Sequence, residues 1–107
     1  MLHRYVLEGH EVKEEPDLMT WSSRFEKEDR QVADDMVNGV RVSTVFLGLD
    51  HNFGREGPPI LFETMVFGGP LDGEQWRYET WEQAEAGHKE VMELVSGQAI
   101  RKIRFRG

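Results

Sequence analysis

The dipeptide Asn38-Gly39 constrains this chain more than any other feature. Both residues tolerate positive φ, as the two central positions of a type I′ turn require, so the segments on either side are set up to pair as an antiparallel hairpin. After the turn comes VRVSTVFLGL (residues 40–49), rich in β-branched and aromatic side chains and read as a central strand. Before it comes RQVADDMV (residues 30–37), whose Asp34 and Asp35 suit an exposed edge that must resist pairing with other chains.

The remaining elements are read outward from this hairpin. Residues 60–67 (ILFETMVF) alternate, with Ile60, Phe62, Thr64 and Val66 on one face and Leu61, Glu63, Met65 and Phe67 on the other. Gly68-Gly69-Pro70 closes that strand, and residues 75–79 (QWRYE) make a fourth, short one. Thr80-Trp81-Glu82-Gln83 has the spacing of a capping box. It opens a helix from Trp81 to about Val95 with Trp81, Ala84, His88, Val91 and Val95 along its apolar stripe. Gly97 is placed to end that helix. Gly87 inside it implies a close approach to the sheet, since glycine there costs about 1 kcal/mol relative to alanine.

Earlier in the chain, Asp17 is a good N-cap for a short helix carrying Leu18, Trp21 and Phe25 on one side and ending near Glu28. Residues 3–8 read as an opening strand or extended arm, and residues 9–16 as a polar loop. At the other end, residues 100–105 alternate partially, so the segment 98–107 reads as a basic tail or an edge strand. The expected fold class is therefore α+β: one domain over residues 1–107, with a mainly antiparallel sheet of three to five strands. The long helix packs on one face, and a short helix lies near the N-terminus.

Composition narrows the chemistry. The chain has 107 residues and no cysteine, which removes disulfides, thiolate metal sites and a cysteine nucleophile. The net charge is −7, but Arg101, Lys102, Arg104 and Arg106 lie within the last seven residues. Residues 1–100 hold nine of the 13 basic and all 20 acidic side chains, a net −11. Such a body repels phosphate backbones, leaving only the basic tail for a weak nucleic-acid contact. The first residues lack the pattern of a signal peptide, and no apolar run approaches a membrane span, so a cytoplasmic location is expected. Phosphate-loop, dinucleotide and HExxH motifs are absent and no cofactor is expected.

The candidate chemistry centres on Asp50-His51-Asn52-Phe53-Gly54, at the exit of the central strand. Asp50, His51 and Glu63 are the catalytic candidates. His51, Asp50 and His88 would be the ligands of any metal site, and Asn52, Phe53, Trp76 and Tyr78 are the candidates for binding a partner. Each also has a plain structural reading. Asp50 and Asn52 are ordinary turn residues. Glu63 pairs with Arg41 or Arg77 across the sheet. His88 is a hydrogen-bonded core histidine, and the tryptophans and tyrosine pack in the core.

The motifs VSTVFLGLDHNFG and LFETMVFGG, within residues 41–69, and WRYETWEQAEAGH (residues 76–88) resemble an uncharacterised family of small bacteriophage and prophage proteins. The resemblance spans roughly residues 5–95 and implies a phage-type accessory protein; it carries no catalytic residue across. The function expected on these grounds is a protein-interaction module for a host or phage partner with a basic surface, inhibition of a host factor being one form of it. The alternatives are a small metal-dependent or acid–base enzyme using the 50–52 loop, and a virion structural or assembly component.

Overall fold

The computed structural model describes residues 3–52 and 55–106, with side chains described as far as Gly97. It is an α+β fold with two antiparallel sheets. The Asn38-Gly39 turn forms as expected, with φ of 51° and 80° at its two residues. It joins β3 (Gln31–Val37) to β4 (Val40–Phe46). β5 (Phe62–Phe67) and β6 (Gln75–Tyr78) complete a four-stranded meander in the order β3-β4-β5-β6, so the acidic strand β3 lies at an edge.

Cross-strand partners share a face of the sheet. The register Asp35↔Val42↔Val66, Thr44↔Thr64↔Trp76 and Phe46↔Phe62↔Tyr78 gathers one face. α2 (Trp81–Arg106) lies on it, with Ala84, His88 and Val91 pointing inward at i, i+4 and i+7 and all buried. Phe46, Phe62, Leu61, Val42, Val66, Thr44 and Thr64 are fully sealed from solvent. The opposite face carries Met36, Arg41 and Phe67 in one row and Val45, Glu63 and Arg77 in another. Arg41–Asp34 and Arg77–Glu63 ion pairs cross it, each at 2.9 Å.

Residues 9–16, expected to be a loop, form a second hairpin with the opening strand. β1 (Tyr5–Glu8) pairs with β2 (Glu11–Glu14) across the two-residue turn Gly9-His10. Gly9 supplies φ of 64° at the first turn position, the signature of a type II′ connection. The polar composition of EVKE hid this strand: only Val12 turns inward, against the cluster of Leu7, Phe46, Leu61 and Phe62. α1 (Leu18–Lys27) follows, and Asp17 caps it by accepting from the Thr20 amide at 2.9 Å and the Thr20 hydroxyl at 2.6 Å. Trp21 and Phe25 stack at 4.8 Å between ring centroids and reach the body through Trp21 Nε1, which donates to the Tyr5 carbonyl. Leu18, expected on the same stripe, is exposed.

The end of α2 also differs from expectation. Gly97 takes no positive φ, and the helix runs through residues 98–106 instead of yielding to an edge strand. The segment Gln98-Ala99-Ile100-Arg101-Lys102 is made mostly of good helix formers, and this outweighs a partial alternation. At the other end Thr80 Oγ1 accepts from the Gln83 amide as a capping box requires. The Gln83 side chain, however, reaches the Glu79 amide one residue further back.

Gly87 shows the close approach its position implied. A Cβ built there would clash with Cε1, Cζ and the hydroxyl of Tyr78. Gly87→Ala is expected to destabilise the fold by about 1–3 kcal/mol through overpacking, against the helix-propensity gain of about 1 kcal/mol. Urea unfolding of the two proteins measures the balance.

Thr20 holds the Asp17 carboxyl below its ordinary pKa, its hydroxyl contributing more than its amide. The cap therefore stabilises α1 above the unfolded aspartate range and fades as pH falls through the depressed folded value. The protection of the α1 amides, taken relative to their intrinsic exchange rates at each pH, is expected to fall on acidification, and Asp17→Asn is expected to remove that acid dependence.

Candidate functional site

The loop after β4 is held by the polar side chains that made it a candidate. Asp50 Oδ1 accepts from the amides of Asn52 at 2.8 Å and Ile60 at 2.9 Å, tying the two ends of the loop together. The His51 amide donates to the Ile60 carbonyl, and its ring Nδ1 lies 2.9 Å from the Leu49 carbonyl and so donates to it. Asn52 Nδ2 points at the carbonyls of Arg55, Glu56 and Pro58, at 3.1 to 3.4 Å. Phe53 and Gly54 lie outside the described residues. Asp50 and Asn52 thus hold the loop in the way turn aspartates and asparagines commonly do.

Glu63 and His88 do not join them. Glu63 pairs with Arg77 on the face away from α2, while its neighbour Thr64 points to the other side, where it meets Thr44, the partner of His88. Opposite faces of one sheet cannot supply a shared metal or proton. Among the described residues no group of three or more His, Asp or Glu side chains is placed to hold a metal ion.

His88 instead belongs to a buried chain of polar groups. Its Nε2 lies 2.8 Å from Asp35 Oδ2 and its Nδ1 2.7 Å from Thr44 Oγ1. Thr44 Oγ1 meets Thr64 Oγ1 at 2.5 Å, and the Tyr78 hydroxyl donates to Thr64 Oγ1 at 3.1 Å. An acid, an imidazole and a hydroxyl in series have the connectivity of a hydrolytic triad. Here the hydroxyl is fully buried beneath α2 and no substrate carbonyl can reach it, so Thr44 is no nucleophile. The helix stripe had put His88 inside, and the strand alternation had grouped Thr64 with Phe62 and Val66; Thr44 carried no separate signal. Asp35 was missed because an aspartate on an edge strand already has an explanation.

Among the described residues, α2 borders two open grooves and a smaller pocket at Val95. Trp76 and Tyr78 from β6 line one of about 270 Å³ with Gly87, Glu90 and Leu94. The Tyr78 phenol is pushed above its ordinary pKa, chiefly by burial. The other groove, of about 420 Å³, lies between the β1–β2 hairpin and the start of α2. Glu11, Glu79 and Glu82 line it, with His10, Val12, Thr80 and Trp81. The His10 and Trp81 rings stack nearly parallel there, at 3.9 Å between centroids and 9° between planes. A sequence signal for this groove existed in the Gly9-His10 turn, but it depended on recognising β2.

No protein-family model, curated protein or solved structure matches the chain. Among the described residues no helix is long and apolar enough to cross a membrane.

Thr44→Val is expected to cost about 1–3 kcal/mol, because it strands the Nδ1 of buried His88. Adding His88→Leu removes the stranded group as well. The double variant is expected to be more stable than the sum of the two single losses predicts, a coupling measured by a double-mutant cycle in urea.

Proposed function

We propose that this protein is an interaction module whose acidic body receives a basic partner surface, with the groove between the β1–β2 hairpin and α2 as its centre. The observation that carries this reading is the combination of three carboxylates, Glu11, Glu79 and Glu82, with the stacked His10–Trp81 pair in one groove of about 420 Å³. An arginine suits such a place better than a lysine. Its planar guanidinium stacks on an aromatic face while its N–H groups donate to carboxylates at the edge. The net −11 of residues 1–100 adds long-range attraction for a positively charged partner. The resemblance of the central motifs to phage proteins supports a host protein as that partner, and blocking a surface that otherwise holds nucleic acid is the form of inhibition that fits the charge.

Titration with an arginine-rich peptide and its lysine counterpart, followed by calorimetry, tests the reading. The arginine peptide is expected to bind more tightly, and added salt is expected to weaken both. Glu11→Gln with Glu82→Gln is expected to lower affinity roughly three- to tenfold, as for two exposed ion pairs. Equal affinity of the variant and the original protein would remove the groove from the interaction.

A further inference from the structure

The chain from Asp35 to Tyr78 has a direction, and His88 sets it. A carboxylate only accepts, so Asp35 takes the Nε2–H of the ring, and a neutral imidazole then presents a lone pair at Nδ1. Thr44 must donate to that lone pair. With its single hydrogen used, Thr44 accepts from Thr64, and Thr64 in turn accepts from Tyr78. Every proton points from Tyr78 towards Asp35, and each buried hydroxyl both donates and accepts.

A second proton on the ring breaks this order. Nδ1 becomes a donor, so Thr44 turns its hydrogen to Thr64. If Tyr78 went on donating, the Thr64 hydrogen would have no acceptor between its two side-chain partners among the described residues, at a fully buried position. Turning Thr64 towards Tyr78 resolves this, because the phenol can accept and send its own hydrogen elsewhere. Tyr78 is only half-buried and borders the groove of Trp76, Glu90 and Leu94.

Charged and polar groups reach this chain from every strand of the four-stranded sheet. β3 brings Asp35, and Asp34 close enough to be affected by the His88 charge although Arg41 holds it. β4 and β5 present Val42, Thr44, Thr64 and Val66, and β6 presents Tyr78 behind Thr64. On α2 itself Glu85 and Lys89 are exposed beside the buried ring.

We infer that Asp35, His88, Thr44, Thr64 and Tyr78 form a reversible hydrogen-bond relay, in which a proton taken up by buried His88 releases the Tyr78 hydroxyl as a donor into the β6–α2 groove. The relay is independent of the acidic groove at the other end of α2.

Nuclear magnetic resonance tests it directly. The ring nitrogens of His88 and the Cζ carbon of Tyr78 are followed together as the pH is lowered. In the original protein the Tyr78 signal is expected to move with the same midpoint as the His88 ring. In Thr64→Val the His88 transition is expected to persist while Tyr78 stops following it, and Thr64→Ser is expected to restore the link. A Tyr78 signal that stays flat through the His88 transition overturns the relay, as does a ring that takes no second proton before the protein unfolds. Coupling that survives Thr64→Val shows a through-space field effect and overturns it equally. Should Thr64→Val fail to fold, the wild-type comparison still decides, with Thr64→Ser as its folded control.

Discussion

A histidine buried beneath a helix needs a partner for each ring nitrogen, and the rest of this fold is arranged around supplying them. Thr44 comes from the central strand and Asp35 from the edge strand, so one side chain of α2 ties the helix to two strands of the sheet. Thr64 and Tyr78 extend the same chain to β5 and β6, and all four strands are then joined to the helix by polar contacts running through an apolar layer. Apolar packing alone is tolerant of small slides between helix and sheet. A hydrogen-bonded chain at 2.5 to 3.1 Å is not, because each displaced link leaves a buried group without a partner. Val42, Val66 and Val91 supply the burial; the chain determines where the helix sits.

What was legible in the sequence follows from which signals are local. The Asn38-Gly39 turn, the Asp17 cap and the alternation of Phe62, Thr64 and Val66 depend on neighbours within a few residues, and all three form. The pairing of Glu63 with Arg77 was one of two named options, and the register selected it. The β1–β2 hairpin was illegible because EVKE exposes three of its four side chains and so lacks a two-sided pattern. The last turns of α2 were misread because Ile103 and Phe105, two apart, fit a strand period, while Ile100 and Ile103, three apart, fit a helix equally well.

The candidate site was less legible than the fold. Asp50 and Asn52 were singled out for chemistry, and their hydrogen bonds hold a loop closed. His88 was read as a core histidine and is one, yet its partners lie 53 and 44 residues away, and no spacing rule reaches that far. The groove of Glu11, Glu79 and Glu82 joins residues 10–12 to residues 79–82, so it exists only once the hairpin folds over the start of α2. Such a groove is a surface that tertiary contacts create, and motif spacing carries little of it.

The space that Gly87 leaves for Tyr78 also gives α2 a single axial address. Moving the helix by one turn, about 5.4 Å, would bring Glu90 or Val91, or in the other direction Gln83 or Ala84, against the phenol ring. Each of these carries the Cβ that the ring excludes. A helix with a continuous apolar stripe has several nearly equivalent ways to lie on a sheet; a single missing side chain, matched to a single projecting ring, leaves one. The notch acts as a key, and the alignment it admits is the one in which His88 stands over Thr44.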